Sequence, residues 1–298
     1  MSIDIILDTD IATDVDDCLA LALILSSPEL SLRGITCVYG DVDLRARFTA
    51  KLLALHGSTD IPVTAGARLP LLNKRPVYWE GREGEGLLTD DDAEIAYSGE
   101  NAVDFIVRTA FEKPGQIHLV GIAPLTNIAL ALIREPKLPL KHITLMGGVA
   151  RSIDRLDLPF AEHNIQCDPE AAHIVFSSGI PTTLVPLDLT TQVRLRAEGV
   201  AKLRALGSPY HEAVARQVEL YPRFQHLGYT FVHDPLAVAA VIDPTFIRTE
   251  RVRIDVELAG QHSAGMTLMK RDPSGHVDVG VAVDIDRFET WLVERLCG

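Results

Sequence analysis

Short apolar runs alternate with segments whose apolar residues recur at helical spacing through the first two thirds of the chain, the pattern of a parallel sheet covered by helices. Residues 3–7, Ile-Asp-Ile-Ile-Leu, read as a buried strand; beyond an Asp-rich turn, 16–27 reads as a helix that Pro28 stops. A strand over 32–38, a helix over 44–56 closed by Gly57, and a short strand over 61–63 come next. The alternation lapses between Gly66 and Gly99, where glycines surround Trp79 and predict a mobile loop, with residues 75–88 as a lid. It resumes with a helix over 102–111, a strand over 117–122, a helix over 125–134, a strand over 143–146, a helix over 169–177 and a strand over 183–187. Beyond Ala197 the pattern is mainly helical as far as Val241; two or three strands between Val252 and Val283 and a terminal helix complete it. The expectation is a single α/β domain over residues 1–298: an open, mostly parallel sheet flanked by helices, with a mainly helical C-terminal part.

Charge narrows the partners. With 28 Lys and Arg against 41 Asp and Glu, the net charge of −13 opposes binding to polymeric nucleic acid or to an anionic membrane surface. No apolar run approaches the roughly 18 residues of a membrane span, and Met1-Ser2-Ile3-Asp4 lacks a basic leader region. Cys18, Cys37, Cys167 and Cys297 show no CxxC spacing and fit structural thiols in a reducing compartment. A cytoplasmic, non-membrane protein is expected.

The candidate chemistry lies at the end of the first strand, where Leu7-Asp8-Thr9-Asp10-Ile11-Ala12-Thr13-Asp14-Val15-Asp16-Asp17 sets five carboxylates within ten residues. In an open α/β sheet, ligands bind at the carboxyl ends of strands. Carboxylates this close repel one another unless a cation sits among them, and Ca²⁺ accepts the irregular all-oxygen shell such a turn supplies. One Asp alone would be explained as a helix cap, five together are not. Asp8 is read as ending the strand and holding the turn, with no metal role.

These residues resemble the inosine-uridine-preferring nucleoside hydrolase family, whose signature is an apolar strand, D-x-D, and a D-D pair opening a helix. Val120-Gly121-Ile122-Ala123-Pro124-Leu125-Thr126-Asn127, Met146-Gly147-Gly148, Ala161-Glu162-His163-Asn164 with Asp168-Pro169-Glu170-Ala171-Ala172, and His233-Asp234-Pro235-Leu236-Ala237 are similar to further blocks of that family, in its order. The resemblance implies a Rossmann-like sheet of the nucleoside hydrolase fold, and Ca²⁺ held by Asp10, Asp17, the backbone carbonyl of Ile122 and Asp234. Asp16 would help to hold ribose, Glu162 and Asn164 would bind ribose hydroxyls, and His233 would lie near the leaving base. A homodimer or homotetramer acting on a small nucleoside is implied as well. Asp234-Pro235 and Asp168-Pro169 also read as plain helix starts, an N-cap followed by Pro at N1.

The chain departs from the family's commonest pattern in places. The gap between Asp10 and the Asp16-Asp17 pair is two residues longer than in the short form of the motif, which leaves Asp14 as an alternative ligand. Asp41 stands where many members carry Asn, Arg82 where many carry His, and Arg155-Leu156-Asp157 where Gly-Asn is expected. Asp41 and Arg82 are therefore assigned to substrate binding, and the substrate's base stays open.

The chemistry implied is hydrolysis of an N-glycosidic bond through an oxocarbenium-like transition state. Asp10 is the candidate base that activates water, Asp16 and Glu162 would stabilise charge on the ring, and a protonated His233 would serve as acid toward a purine. Tyr221, Phe224 and Tyr229 are candidates for an aromatic partner of the base, or core residues of a helix pair. Two other readings compete: a hydrolase of another N-riboside or a non-catalytic binding protein on the same fold, and a haloacid-dehalogenase-like phosphatase. The phosphatase motif wants Thr or Val where Ala12 stands, and no downstream Lys with an acidic pair is evident.

Overall fold

The structure, a computed structural model, describes residues 2–150 and 155–298. Its centre is a ten-stranded sheet. Strand β1 (Ile3–Thr9) is flanked on one side by β2 (Leu30–Cys37), β3 (Val63–Ala65) and β4 (Ser98–Asn101), and on the other by β5 (His118–Gly121), β6 (His142–Met146) and β7 (Thr182–Val185). These strands and β12 (Val277–Val283), which joins β7, all run parallel. Strand β10 (Ile247–Val256) lies antiparallel between β12 and β11 (Thr267–Arg271). The expected open, mostly parallel sheet is present.

The two sides of the sheet carry separate cores because successive side chains on a strand point to opposite faces. Ile5 and Leu7 join one cluster and Ile6 the other. On the first face lie α1 (Asp16–Leu25), α2 (Val42–His56), α8 (Ala197–Ala205), α9 (Pro209–Leu220), α11 (His233–Ile242) and α12 (Ile285–Cys297). On the second lie α3 (Ala102–Glu112), α4 (Thr126–Arg134) and α6 (Pro169–Phe176), while the short α5 (His163–Cys167), α7 (Leu187–Thr190) and α10 (Pro222–Leu227) act as connectors. Helix α1 is apolar on every side because it is covered on every side, by β2, α9, α11 and α12.

The order of strands reverses at β1. From β1 the chain winds outward through β2, β3 and β4, then returns to pair β5 with β1 on the opposite side. The carboxyl ends of β1 and β5 thus diverge into helices on either side of a crevice, the position at which open α/β sheets bind ligands.

Several expectations are corrected. The 66–99 stretch is not one continuous loop: it contains a turn of 3₁₀ helix (Asp90–Glu94) and runs into β4, and Leu87 is buried in the first core. The mainly helical segment after Ala197 encloses strand β9 (Tyr229–Phe231), which pairs antiparallel with β8 (Arg194–Arg196) in a two-stranded ribbon. Strand β10 begins five residues before the expected position.

Candidate active site

Four junctions deliver the side chains. The turn after β1 carries Asp10 and Asp14 and opens α1 with Asp16 and Asp17; the turn after β5 carries Ile122; Met146 ends β6; and α11 opens with His233 and Asp234. Because α11 packs on α1, Asp234 faces the Asp16-Asp17 pair across two helix starts. Oxygens of Asp16, Asp17 and Asp234 all lie within 4.8 Å of one another, and all three residues are buried.

Burial, and then the neighbouring aspartates, push the carboxyls of Asp16, Asp17 and Asp234 well above the usual carboxylate range. Thr9 donates to Asp17, yet no cationic side chain pairs with this cluster among the described residues. A buried, all-oxygen, mutually repelling set of acids fits a hard cation. Asp8 is separate from it. Its Oδ1 accepts from Thr36 Oγ1 at 2.5 Å and Asn127 Nδ2 at 2.8 Å, and burial raises its carboxyl to about 7; it ties β1, which runs on to Thr9, to β2 and α4 rather than ending the strand.

A cavity of about 360 Å³ opens onto these acids. Its lining includes Asp10, Asp16, Asp17 and Asp234, Ile122, Glu162, Asn164 and His233, which the structure therefore brings together. Glu162 caps α5: its carboxylate accepts from the backbone N–H of Asn164 (2.8 Å), Gly148 (2.9 Å) and Ile165 (3.2 Å). Gly148 adopts a left-handed φ of 71°, which aims its N–H at that carboxylate without a Cβ penalty. Burial pushes the Glu162 carboxyl up against the pull of those three donors. Asn164 Nδ2 donates to the carbonyls of Ile122 and Met146, each at 3.2 Å, and so is oriented by the same two strand ends.

Other residues singled out in the sequence sit as follows in the fold. Asp41 is not in the cavity lining; it caps α2, accepting from Asp43 N at 3.2 Å and Leu44 N at 3.1 Å, and pairs with Arg68. Arg82 stands behind the wall, paired with Glu80 and stacked 5.4 Å from the ring of Tyr221. Asp234 is no helix cap, because α11 begins one residue earlier and Asp234 falls within its first turn. Asp168 is a cap, accepting from Ala171 N at 3.1 Å. His233 Nδ1 lies 2.7 Å from Thr190 Oγ1, and burial, helped by Arg223, holds its imidazole down to about 3, the direction that favours the neutral ring. Of the three aromatic candidates, Tyr221 reaches the cavity, where its hydroxyl donates to Asp14 Oδ2 at 2.8 Å. Phe224 packs against the first core, and the ring of Tyr229 lies under Arg194.

Tyr78, Glu80 and His163 line the cavity without having been singled out. His163 stood between two assigned residues in a motif already recognised, and that adjacency was the available signal.

The model of the inosine-uridine preferring nucleoside hydrolase family matches residues 5–290. The chain belongs to that family. As such it is an N-glycosyl hydrolase, which displaces the phosphatase reading. It is 34% identical to the inosine-uridine preferring nucleoside hydrolase of Leishmania major, over 98% of this chain and 96% of that one. It is also 34% identical to the pyrimidine-specific ribonucleoside hydrolase RihA of Citrobacter koseri, over 94% of each. Among solved structures, the purine-preferring ribonucleoside hydrolase from Gardnerella vaginalis superposes with a TM-score of 0.87 at 32% identity, covering 99% of this chain and 98% of that one. The names of these relatives divide between purine and pyrimidine, so membership does not fix the base.

Proposed function

We propose that this protein is a calcium-dependent ribonucleoside hydrolase that releases free base and ribose. The observation that carries this reading is the buried triad Asp16, Asp17 and Asp234 on the floor of a cavity that also presents Asp10, Glu162 and Asn164. Asp10, Asp17, Asp234 and the Ile122 carbonyl are the proposed cation ligands, with Asp14, whose Oδ2 accepts from Tyr221, one side chain away. A cation held there would supply Lewis acidity toward a water and a positive charge toward ribose hydroxyls. Asp10 accepts the proton of the attacking water. Asp16 and Glu162 oppose the positive charge that develops on the ring, and Glu162 is fixed for this by its three backbone donors. Asn164 and Glu162 hold hydroxyls that a deoxynucleoside partly lacks, so ribose is preferred. Asp41, assigned to the substrate from the sequence, pairs with Arg68 outside the cavity lining, and Arg82 borders the cavity through Glu80 and Tyr221.

No described helix is long and apolar enough to cross a membrane. A cytoplasmic location and a homodimer or homotetramer complete the proposal, supported by composition and family resemblance.

The test is release of ribose from a panel of purine and pyrimidine ribonucleosides, before and after EDTA treatment and after restoring Ca²⁺. Ribose that appears, is lost with EDTA and returns with Ca²⁺ is the expected result, and the panel names the base. Binding of a nucleoside without cleavage, metal present, would make this a binding protein instead.

A further inference from the structure

Arg45, on α2, is a fully buried cation whose hydrogen bonds, among the described residues, run to carbonyl and hydroxyl oxygens rather than to a carboxylate. Its Nε–H donates to the Tyr39 carbonyl at 2.6 Å, and Nη1 donates to the carbonyls of Asp10 and Ile11 (2.7 Å for Ile11) and to Thr13 Oγ1 at 3.1 Å. Burying a charge this way is tolerated only where such acceptors converge on it. Two non-glycine residues in these turns have left-handed backbones: Tyr39 (φ 69°), whose carbonyl accepts from Arg45, and Ala12 (φ 91°), which follows the Ile11 carbonyl. Strain of that kind persists only where the surroundings over-determine it, and Arg45 is the tie common to both.

The other side of the guanidinium lies 5.2 Å from the ring of Trp79. Trp79 also closes over Gly40, where a Cβ would stand 2.6 Å from the ring, so the seat is shaped for it. Its neighbour Tyr78 donates its backbone N–H to the Tyr39 hydroxyl at 2.9 Å. Tyr78 and Glu80, on either side of Trp79, line the cavity, as do Asp10 and Thr13. One side chain therefore touches both the acid-bearing turn and the exposed segment that covers it.

We propose that Arg45 is a positioning residue that locks the 75–88 segment to the Asp10–Thr13 turn, so that seating Trp79 and shaping the cation site are one coupled event. The part concerning the cation rests on the metal reading above. A purely electrostatic role predicts differently: the positive charge near Asp17 would then oppose a cation, Lys would replace Arg without effect, and neutral Met would tighten binding.

The decisive variant is Trp79→Leu, on an exposed loop and outside both the proposed cation ligands and the cavity lining. Calorimetric titration with Ca²⁺ is expected to show affinity weakened at least threefold by Trp79→Leu and by Arg45→Lys, with the double variant no weaker than the worse single one. Limited proteolysis of the metal-free protein is the second readout. Cleavage within 75–88 should rise about tenfold in either variant, again without further increase in the double, as expected for one shared link. Unchanged Ca²⁺ affinity in Trp79→Leu, or losses that simply add, overturn the proposal. Should no Ca²⁺ bind to the unaltered protein, the metal reading fails, and the proteolysis series decides the coupling by itself. Arg45→Met is informative only if it folds; the other two variants do not depend on it.

Discussion

At the level of single residues, the site combines acids of two kinds. Glu162 is buried but satisfied by three backbone donors, whereas Asp16, Asp17 and Asp234 are buried chiefly against one another. Substitution should separate them. Glu162→Gln turns one acceptor oxygen into an amide that faces N–H groups, and leaving such donors unsatisfied costs about 1–3 kcal/mol, so denaturant unfolding should show that loss together with weaker nucleoside binding. Asp10→Asn keeps size and removes basicity; kcat is expected to fall by about 10²- to 10⁴-fold with the unfolding midpoint nearly unchanged. A fall of less than tenfold would move the base to another carboxylate. The aspartates were legible in the sequence because residue type and spacing alone state the chemistry. Asp41 and Arg45 were not, since an Asp ahead of a helix serves equally as cap or ligand, and an Arg on an amphipathic helix reads as solvated. Arg45 is buried because the Asp10–Thr13 turn, thirty-odd positions earlier, and Trp79, thirty-four positions later, both fold onto it.

Among elements, the parallel strands were readable because strands buried on both faces are continuous apolar runs, and their helices have clear stops at Pro28 and Gly57. Strands β4 and β8 were missed because Ser-Gly-Glu-Asn and Arg-Leu-Arg, unlike the equally short β3, β5 and β7, are not part of an apolar run, and β9 because its three residues lie within a mainly helical segment. The start of the parallel strands carries a feature of its own. His118 on β5 and His142 on β6 are register partners, their ring centroids 4.8 Å apart, bonded to Thr144 and Thr183. Burial, then the neighbouring His142, depresses His118 to about 3 from 6.5. The unfolded chain therefore binds a proton below 6.5 that the folded chain refuses, and stability is lost as pH falls from 6.5 toward 3. His118→Gln should flatten that part of the stability curve, measured by urea unfolding at pH 7, 6, 5 and 4; an unchanged slope would place the acid sensitivity elsewhere. The close Cβ approach at Gly34, 2.2 Å from Phe105, makes a companion test of strand–helix packing: Gly34→Ala should cost about 1–3 kcal/mol through overpacking between β2 and α3.

For the molecule as a whole, the topology concentrates negative charge where the strand order reverses, in a chain that already carries −13. The carboxyls of Asp16, Asp17 and Asp234 are raised by burial and by one another, so without a cation the folded state holds protons that the unfolded state has released. Their contribution is favourable below the unfolded value of 3.8 and is lost as pH rises through the raised values, leaving a penalty in the metal-free protein at neutral pH. A cation competes with those protons and binds the folded state, so its stabilisation follows RT ln(1 + [L]/Kd) with an affinity that strengthens as the acids ionise. Saturating Ca²⁺ should therefore raise the thermal midpoint, and raise it more at pH 8 than at pH 5, where protons already relieve the repulsion. Asp234→Asn should remove most of both the increment and its pH dependence, since it takes one charge from the triad. An equal increment at the two pH values would mean that the ion binds away from these acids; no increment at either would mean that the buried charge is relieved by protons alone.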